Sequence, residues 1–426
     1  MTSRTRIAAL LSCSLVTACG PVEVDPPGEL VKSSKARITQ VAPEADQRQA
    51  VDDTTTFALD VYRKLPASAE NVAFSPWSVT TALSMTYPGA RGTTQTAFET
   101  VLHQSLPQDR YHRAMNTLDR ALEARGQGAM GRDGKAFRLR SNNQLFAQQG
   151  MALVPGFLDV LAEEYGAGVR LLDFAAQPEP SRKAINGWID TNTEHLIPEL
   201  LKEGTITADT RLTLVNTLYF NAAWQTPFEH SKTAPGPFTL GDGSTVQTEL
   251  MAAEDLAVRH ATVDGVLALE LPYQNDEVAM LLLVPPAGKL GQLEQSLDAA
   301  KLRGFVDALQ ARTAAVRMPK FEARSAANLG DILKDLGLGV AFSGDADFTG
   351  MQAEGGLAIT GVVHEAVVKT DEAGTEAAAA TAVVVGRVSI PEYLEVNRPF
   401  LYLIRDRATG VVLFLGRVTR PASAGT

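Results

Sequence analysis

The side chains that most often act as nucleophiles or metal ligands show no catalytic spacing in this sequence. The six histidines include no H-E-x-x-H pair, the spacing that places two zinc ligands on one helix face. Neither a G-x-S-x-G turn, which presents a serine nucleophile, nor a P-loop occurs. The only cysteines are Cys13 and Cys19, so the body of the chain has no thiol for catalysis, metal binding or a disulfide. We therefore expect no enzymatic activity, no metal and no cofactor.

One motif of the dinucleotide-binding type occurs at residues 126–131 (GQGAMG), which match G-x-G-x-x-G. This motif binds phosphates when it follows a strand and begins a helix. Here it follows the sequence LDRALEAR, which is typical of a helix. The context therefore predicts a flexible loop at this position.

The residues that precede Cys19 indicate that this cysteine is lipidated. Arg4 and Arg6 precede an apolar stretch over residues 7–16, which has signal-peptide length but is too short to cross a bilayer. The sequence Val16-Thr17-Ala18-Cys19 resembles the bacterial lipobox, in which the cysteine is acylated and becomes the mature N-terminus. We expect an exported lipoprotein, anchored at the outer membrane, the cell surface or in the periplasm, or extracellular if released. An ordinary signal peptide with a chance cysteine is the alternative.

Composition divides the rest of the chain into a spacer and one domain. Residues 19–50 are rich in proline and charge and lack periodicity, which predicts a flexible spacer after a signal peptide at 1–18. Residues 51–421 mix helical and strand periods without a linker, which predicts one large mixed α and β domain. The formal net charge of −10 argues against a nucleic-acid partner. Helices are predicted over 51–65, 76–87, 153–165, 181–201 and 290–311, and strands over 211–220, 267–271, 278–284, 362–369 and 411–418.

Residues 370–390 (TDEAGTEAAAATAVVVGRVSI) have an unusual composition of small residues followed by valines. If the segment is extended, one of its faces is small or apolar throughout. That face consists of Thr375, Ala377, Ala379, Thr381 and Val383. Composition alone favours a polyalanine helix, because alanine is the best helix former.

The stretch Glu372 to Thr381 (EAGTEAAAAT) resembles the hinge of the serpin family. Other blocks resemble serpin sequences in the same order, and the resemblance extends over roughly residues 50 to 421. These blocks are 71–85 (NVAFSPWSVTTALSM), 89–94 (GARGTT), 143–146 (NQLF), 185–188 (INGW), 214–224 (LVNTLYFNAAW), 318–320 (MPK), 346–348 (ADF), 397–400 (NRPF) and 414–417 (FLGR). The chain is identified as a member of this family.

The resemblance implies a fold with three β-sheets, about nine helices and an exposed reactive-centre loop. It implies a monomeric inhibitor whose partner is a serine protease. The protease cleaves the loop, remains attached as an acyl-enzyme, and is trapped when the loop inserts as a new strand of the main sheet. The hinge residues that would insert first are Glu372, Gly374, Thr375, Glu376, Ala377, Ala378, Ala379, Ala380 and Thr381. Bulky, charged or proline residues in the hinge are typical of non-inhibitory relatives, which remain the alternative.

The resemblance also assigns the reactive bond and its supporting residues. Counting Glu372 as the first hinge residue, the seventeenth is Val388, so the expected scissile bond is Val388-Ser389, which suits an elastase-like or subtilisin-like protease. A loop one residue shorter would move the bond to Arg387-Val388 and the target to a trypsin-like protease. The polar cluster expected beneath the opening sheet is Ser75, Ser78, Asn216 and His364. Lys320 and Glu372 are expected to form an exposed ion pair at the top of the sheet.

Overall fold

Secondary structure in the computed structural model is described for residues 24–66, 70–375 and 392–422. Several predicted features lie outside the described residues. They are the signal peptide, Cys19, the hinge residues Glu376, Ala377, Ala378, Ala379, Ala380 and Thr381, and the reactive-bond residues Arg387, Val388 and Ser389.

Nine α-helices occur in the described residues, in agreement with the expected mixed α and β fold. They are α1 (Glu44–Lys64), α2 (Pro76–Thr86), α3 (Gly92–Val101), α4 (Gln108–Glu123), α5 (Pro155–Tyr165), α6 (Pro178–Asn192), α7 (Leu290–Ser296), α8 (Ala299–Ala308) and α9 (Gly330–Leu333). The strands are β1 (Glu29–Val31), β2 (Asn71–Phe74), β3 (Arg138–Gln148), β4 (Val169–Leu172), β5 (Leu212–Ala223), β6 (Ala234–Thr239), β7 (Thr245–Val263), β8 (Val266–Pro272), β9 (Val278–Val284), β10 (Gln310–Pro319), β11 (Phe321–Asn328), β12 (Gly361–Thr370), β13 (Gly374–Thr375), β14 (Glu392–Glu395), β15 (Phe400–Asp406) and β16 (Val412–Val418).

The main sheet has the strand order β1-β4-β3-β5-β13-β12-β11. Every residue of its central strand β5 is buried. Eight of the twelve residues in the strand sequence LTLVNTLYFNAA are apolar and they occur on both faces, as expected for a strand covered on both sides. β5 pairs antiparallel with β3 and parallel with β12. The middle of this sheet is therefore part of the core.

The other two expected sheets are continuous with each other in the described residues. β7 is 19 residues long. Its first part pairs with β6 and β10, while its last residues pair with β8, which leads through β9, β15 and β16 to β2. One long strand therefore joins the two smaller sheets.

Helix α2 lies in the core and shows why its sequence forms a helix. Ser75 is the N-cap, and its side chain accepts a hydrogen bond from the backbone N–H of Ser78. Pro76 follows at the first helical position, where its missing N–H costs no intrahelical bond. All residues of α2 are buried, including its serines and threonines, so the helix is enclosed on every side.

The helix predicted over residues 290–311 is wrong in its extent. The structure instead contains α7 and α8, which are separated at Leu297 by an extended backbone. The side chain of Asp298 accepts a hydrogen bond from the Lys301 N–H and so begins α8. The remainder of the predicted helix belongs to β10, because pairing with β7 decides its conformation.

The flexible spacer predicted over residues 19–50 is also wrong for its described part, residues 24–50. β1 pairs with β4 at the edge of the main sheet, and α1 begins at Glu44. Between them, Arg37 contacts Asp119 at 2.6 Å and Glu123 at 2.7 Å on α4. We call residues 24–43 the N-terminal arm. Distant partners order this arm, and local periodicity does not reveal them.

Across the described residues, no helix combines the length and apolar character that a membrane crossing requires.

The residues of the G-x-G-x-x-G match form turns and one isolated bridge between α4 and β3, as predicted for a loop. At Gly126 and Gly128 the backbone has a φ of 75°, which favours glycine.

We predict that Arg37→Ala lowers the stability of the protein to urea by about 1–3 kcal/mol, because it leaves the Asp119 carboxylate without its cation. Asp119 is mostly buried, with 18% of its side chain exposed. Lys35→Ala is the matched control, since Lys35 forms exposed pairs with Asp159 and Glu163. The measurement is urea denaturation followed by tryptophan fluorescence. Equal effects of the two substitutions would contradict an ordering role for Arg37.

Candidate functional site

The central strands β5 and β12 separate part-way along the main sheet. They pair directly from Gly361 opposite Thr213 to Glu365 opposite Thr217. Further along, β13 lies between them, and Thr375 is opposite Ala222 on β5 and Thr370 on β12. In the described residues, the intervening positions 366–369 and 218–221 are not paired with each other. The sheet therefore has a site for an added strand, and the start of the predicted hinge occupies its open end.

Glycine is required where the hinge enters this site. Gly374 has a φ of 148°. A Cβ atom at this position would lie 2.2 Å from the carbonyl oxygen of Ala222, closer than real contacts allow. The backbone of β13 can approach β5 because residue 374 has no side chain.

An aromatic pair holds Thr375, the second residue of β13. The hydroxyl of Thr375 lies 2.7 Å from that of Tyr273, and the Tyr273 ring stacks on Trp224 with centroids 4.6 Å apart. Trp224 donates its backbone N–H to Ala373 O at 3.0 Å and its indole N–H to Asp371 O at 2.9 Å. These contacts were not predicted from the sequence, since Tyr273 lies 102 residues before Thr375.

Glu372 is buried, with 2% of its side chain exposed, and lies among polar partners. Its carboxylate is 3.2 Å from Lys320 Nζ and accepts a hydrogen bond of 2.7 Å from the Thr233 hydroxyl. His230 Nδ1 lies 3.4 Å away. The expected contact with Lys320 is present, but the expected exposed pair is wrong, because β13 and the Thr233 segment exclude solvent from the carboxylate.

These partners decide the ionisation of Glu372. Burial raises the pKa of its carboxyl group, but the hydrogen bonds from Thr233 and Lys320 outweigh burial. The pKa therefore lies below its ordinary value, and Glu372 is a carboxylate at neutral pH.

The structure brings together all four residues of the predicted polar cluster beneath the sheet. The backbone N–H of Ser75 donates to His364 Nε2 at 3.1 Å, and His364 Nδ1 lies 2.7 Å from Asn216 Oδ1. Ser78 Oγ donates toward Asn216 Oδ1 at 3.4 Å and toward Asn143 Oδ1 at 3.2 Å. Asn143, on β3, was not predicted as a member. The signal in the sequence that could have indicated it is an asparagine within a strand, where asparagine is uncommon.

His364 is neutral in this cluster. Burial lowers its pKa to about 3. Nε2 accepts the Ser75 N–H, so the single ring proton is on Nδ1 and points to Asn216. Because His364 on β12 is opposite Asn216 on β5, this hydrogen bond crosses the pairing that must open for a strand to enter.

The described residues contain no group of three or more histidine, cysteine, aspartate or glutamate side chains that could bind a metal ion. The arrangement offers the facing edges of β5 and β12, with the two residues of β13 between them.

Comparison with protein families agrees with this geometry. The model of the Serpin family, described as serine protease inhibitor, matches residues 52–421. The chain belongs to the serpin family.

Individual serpins resemble the chain over most of its length. An uncharacterised serpin-like protein of Thermococcus kodakarensis is 32% identical over 386 residues, which are 89% of this chain and 88% of that protein. The leukocyte elastase inhibitor of Sus scrofa is 34% identical and covers 86% of this chain and 98% of its own. The crystal structure of human thyroxine-binding globulin with its ligand has a TM-score of 0.79 at 26% identity, and covers 89% of this chain and 100% of its own.

We predict that this serpin loses stability as the pH falls below about 6.5. The unfolded His364 takes up a proton there, whereas the folded one stays neutral down to about pH 3. Each pH unit in this interval costs about 1.4 kcal/mol for one such histidine. His364→Gln should therefore reduce the slope of stability against pH in urea denaturation. It should not abolish the slope, because burial also lowers the pKa of His112 to about 3.

His195→Gln is the control for this measurement. His195 is 77% exposed and lies outside the polar cluster, so this variant also removes one histidine but not a buried one. A slope in His364→Gln equal to that of the unchanged protein would contradict a neutral His364 in the folded state.

Proposed function

We propose that this serpin irreversibly inhibits serine endopeptidases by loop cleavage, acyl-enzyme trapping and insertion of the hinge into the main sheet. The observation that supports this proposal is the position of Gly374–Thr375, which already pair between β5 and β12. The leukocyte elastase inhibitor of Sus scrofa, whose name states its inhibitory activity, is 34% identical to the chain. In this role the protein binds the protease and is consumed, and it is not an enzyme.

The walls of the opening suit an added strand. On β5, residues 218–221 are buried, and on β12, Ala366 and Val368 are buried while Lys369 is exposed. The continuing hinge sequence EAAAAT contains alanines and one threonine after Glu376, so its side chains are small enough to enter without displacing packed atoms. Each backbone hydrogen bond formed during insertion contributes about 1 kcal/mol net. Insertion of the whole hinge therefore drives the reaction forward.

The reactive bond that we propose is Val388-Ser389. The serine of the protease attacks the Val388 carbonyl, the acyl bond forms to Val388, and the new amino terminus leaves on Ser389. Valine suits the small apolar pocket of elastase-like and subtilisin-like proteases. Cleavage one residue earlier, after Arg387, is the alternative and selects a trypsin-like protease.

A second candidate function is ligand binding without inhibition. Human thyroxine-binding globulin, which is complexed with thyroxine in its crystal structure, is similar in fold to the whole domain. The small-residue hinge favours inhibition over this candidate, since a serpin that never inserts its loop has no need of it.

We further propose that the mature protein is anchored to a bacterial membrane through lipid on Cys19. The support is the basic start, the apolar stretch and the small residues before the cysteine. Two or more acyl chains would make the anchor stable. The N-terminal arm would then connect the lipid to the edge of the main sheet.

We predict a covalent complex with elastase that survives denaturing gel electrophoresis, together with release of a C-terminal peptide that begins at Ser389. A complex formed only with trypsin, with a peptide beginning at Val388, would move the reactive bond to Arg387.

Thr375→Arg should convert the protein from an inhibitor into a substrate, because it forces a charge between β5 and β12. The protease should still cleave the loop, but the yield of covalent complex should fall about tenfold or more.

Thr375→Ser is the matched control, since it retains the hydroxyl that contacts Tyr273. It should keep the yield of complex. Cleavage by every protease without a complex, and without a rise in the melting temperature after cleavage, would refute inhibition and favour the ligand-binding candidate.

For the anchor, we predict that the full chain expressed with its leader in a Gram-negative host partitions into detergent and incorporates labelled palmitate. Cys19→Ser should abolish both properties, because it removes the acylated thiol. Cys13→Ser, within the leader, should change neither. Partitioning that persists in Cys19→Ser would disprove lipidation at this residue.

A further inference from the structure

A cavity of about 780 Å³ lies beside the junction of β7, β8 and β10. Among the described residues, no hinge residue lines it, and its lining acids are Glu270 and Asp276. Three of its lining residues are the arginines Arg259, Arg312 and Arg407. The proposed inhibitory mechanism does not use this cavity.

A single buried carboxylate lies at the base of this arginine group. Glu270 is 1% exposed and lies 3.1 Å from Arg259 Nη1 and 3.2 Å from Arg407 Nε. The buried Arg405 contributes a third guanidinium, with its Nε 3.5 Å from Glu270. One carboxylate cannot neutralise three guanidiniums, so positive charge remains in a region with little solvent.

The neighbouring acids do not remove this excess. Asp276 pairs with Arg407. Asp406, next to Arg405 in the chain, pairs with Arg125 at 2.6 Å, and Glu277 pairs with Arg125 as well. In the described residues, only two carboxylates, Glu270 and Asp276, balance this arginine group without also pairing with Arg125. The group has four guanidiniums, which belong to Arg259, Arg312, Arg405 and Arg407.

Two of these guanidiniums have unused hydrogen-bonding capacity. Arg405 is 5% exposed, and its Nη1 has no hydrogen-bond partner in the described part of the chain. Burial, and then the nearby Arg407 and Arg259, lower the pKa of Arg405. Arg312 is exposed in the cavity and donates to Gln310 Oε1 at 2.7 Å. It forms no ion pair with a carboxylate among the described residues.

The remaining wall restricts what the cavity can bind. Ala257, Val258, Pro272 and Ala311 are apolar, while Gln225 and Thr313 are neutral and polar. The volume is much larger than an inorganic ion needs, since one water takes up about 30 Å³ in the liquid. A ligand with an anionic group and a small, largely apolar body would match both the arginines and the walls.

We propose that this cavity binds a small organic phosphate monoester, with the phosphate on Arg312 and Arg259 and the organic part against Ala257, Val258 and Pro272. Guanidinium groups bind phosphate oxygens in pairs, so arginine is suited to this role. The dianion of a phosphate monoester matches the two guanidiniums in excess. A sulfate ester or a carboxylate supplies a single charge and should bind more weakly.

The test uses the full chain in detergent and isothermal titration with phenyl phosphate. Phenyl phosphate should bind, and phenyl sulfate and benzoate should bind at least about tenfold more weakly. Arg312→Ala should weaken the binding of phenyl phosphate about tenfold to a hundredfold, because one charge-assisted contact is lost. This substitution leaves the contacts of Glu270 with Arg259, Arg405 and Arg407 in place, so the variant should fold.

Arg303→Ala is the matched control, since Arg303 is an exposed arginine on α8 that does not line the cavity. It should bind phenyl phosphate as the unchanged protein does. The proposal would be overturned if phenyl phosphate did not bind, or if phenyl sulfate or benzoate bound with the same affinity. It would also be overturned if Arg312→Ala bound phenyl phosphate as tightly as the unchanged protein, or if Arg303→Ala lost as much affinity as Arg312→Ala. Because the titration requires no protease, its result is independent of whether the protein is an inhibitor.

Discussion

The short contact between β5 and β12 is the feature on which the rest of the structure depends. These strands share five register pairs, whereas β5 shares ten with β3 and β12 shares eight with β11. Opening the main sheet at its centre therefore breaks fewer hydrogen bonds than opening it on either side. The hinge begins where β5 and β12 have separated, since Gly374 can approach β5 where any side chain would collide with it.

The polar cluster links this contact to the helix beneath it. His364 on β12 connects the N-terminus of α2, through Ser75, to Asn216 on β5. A buried imidazole without a carboxylate partner must be neutral, so the cluster depends on a single ring proton in a defined position. Phe74 packs edge-on against the same ring, with centroids 5.4 Å apart. Polar groups therefore link β5 and β12 at their shortest contact in the sheet.

Other parts of the molecule form a frame around the central strands β5 and β12. Every residue of β9 is buried, and the smaller sheets are continuous through β7. The N-terminal arm adds β1 to the outer edge of the main sheet, where an unpaired strand would otherwise expose its hydrogen-bonding groups. The arginine-lined cavity lies in this frame, beside the junction of β7, β8 and β10.

The sequence by itself determined the main strands, since the strand conformation of β5, β9 and β12 follows from their largely apolar composition. Composition alone favoured a polyalanine helix after Glu372, and only the resemblance to serpins indicated a hinge there, whose small residues suit the proposed insertion between β5 and β12. Tertiary structure decided the order of the N-terminal arm, the burial of Glu372, the presence of Asn143 in the polar cluster, and the arginine-lined cavity. Each of these depends on partners far apart in the chain, such as Arg37 with Asp119. Local periodicity reports which face of an element is buried, but it contains no information on which distant side chain will lie against it.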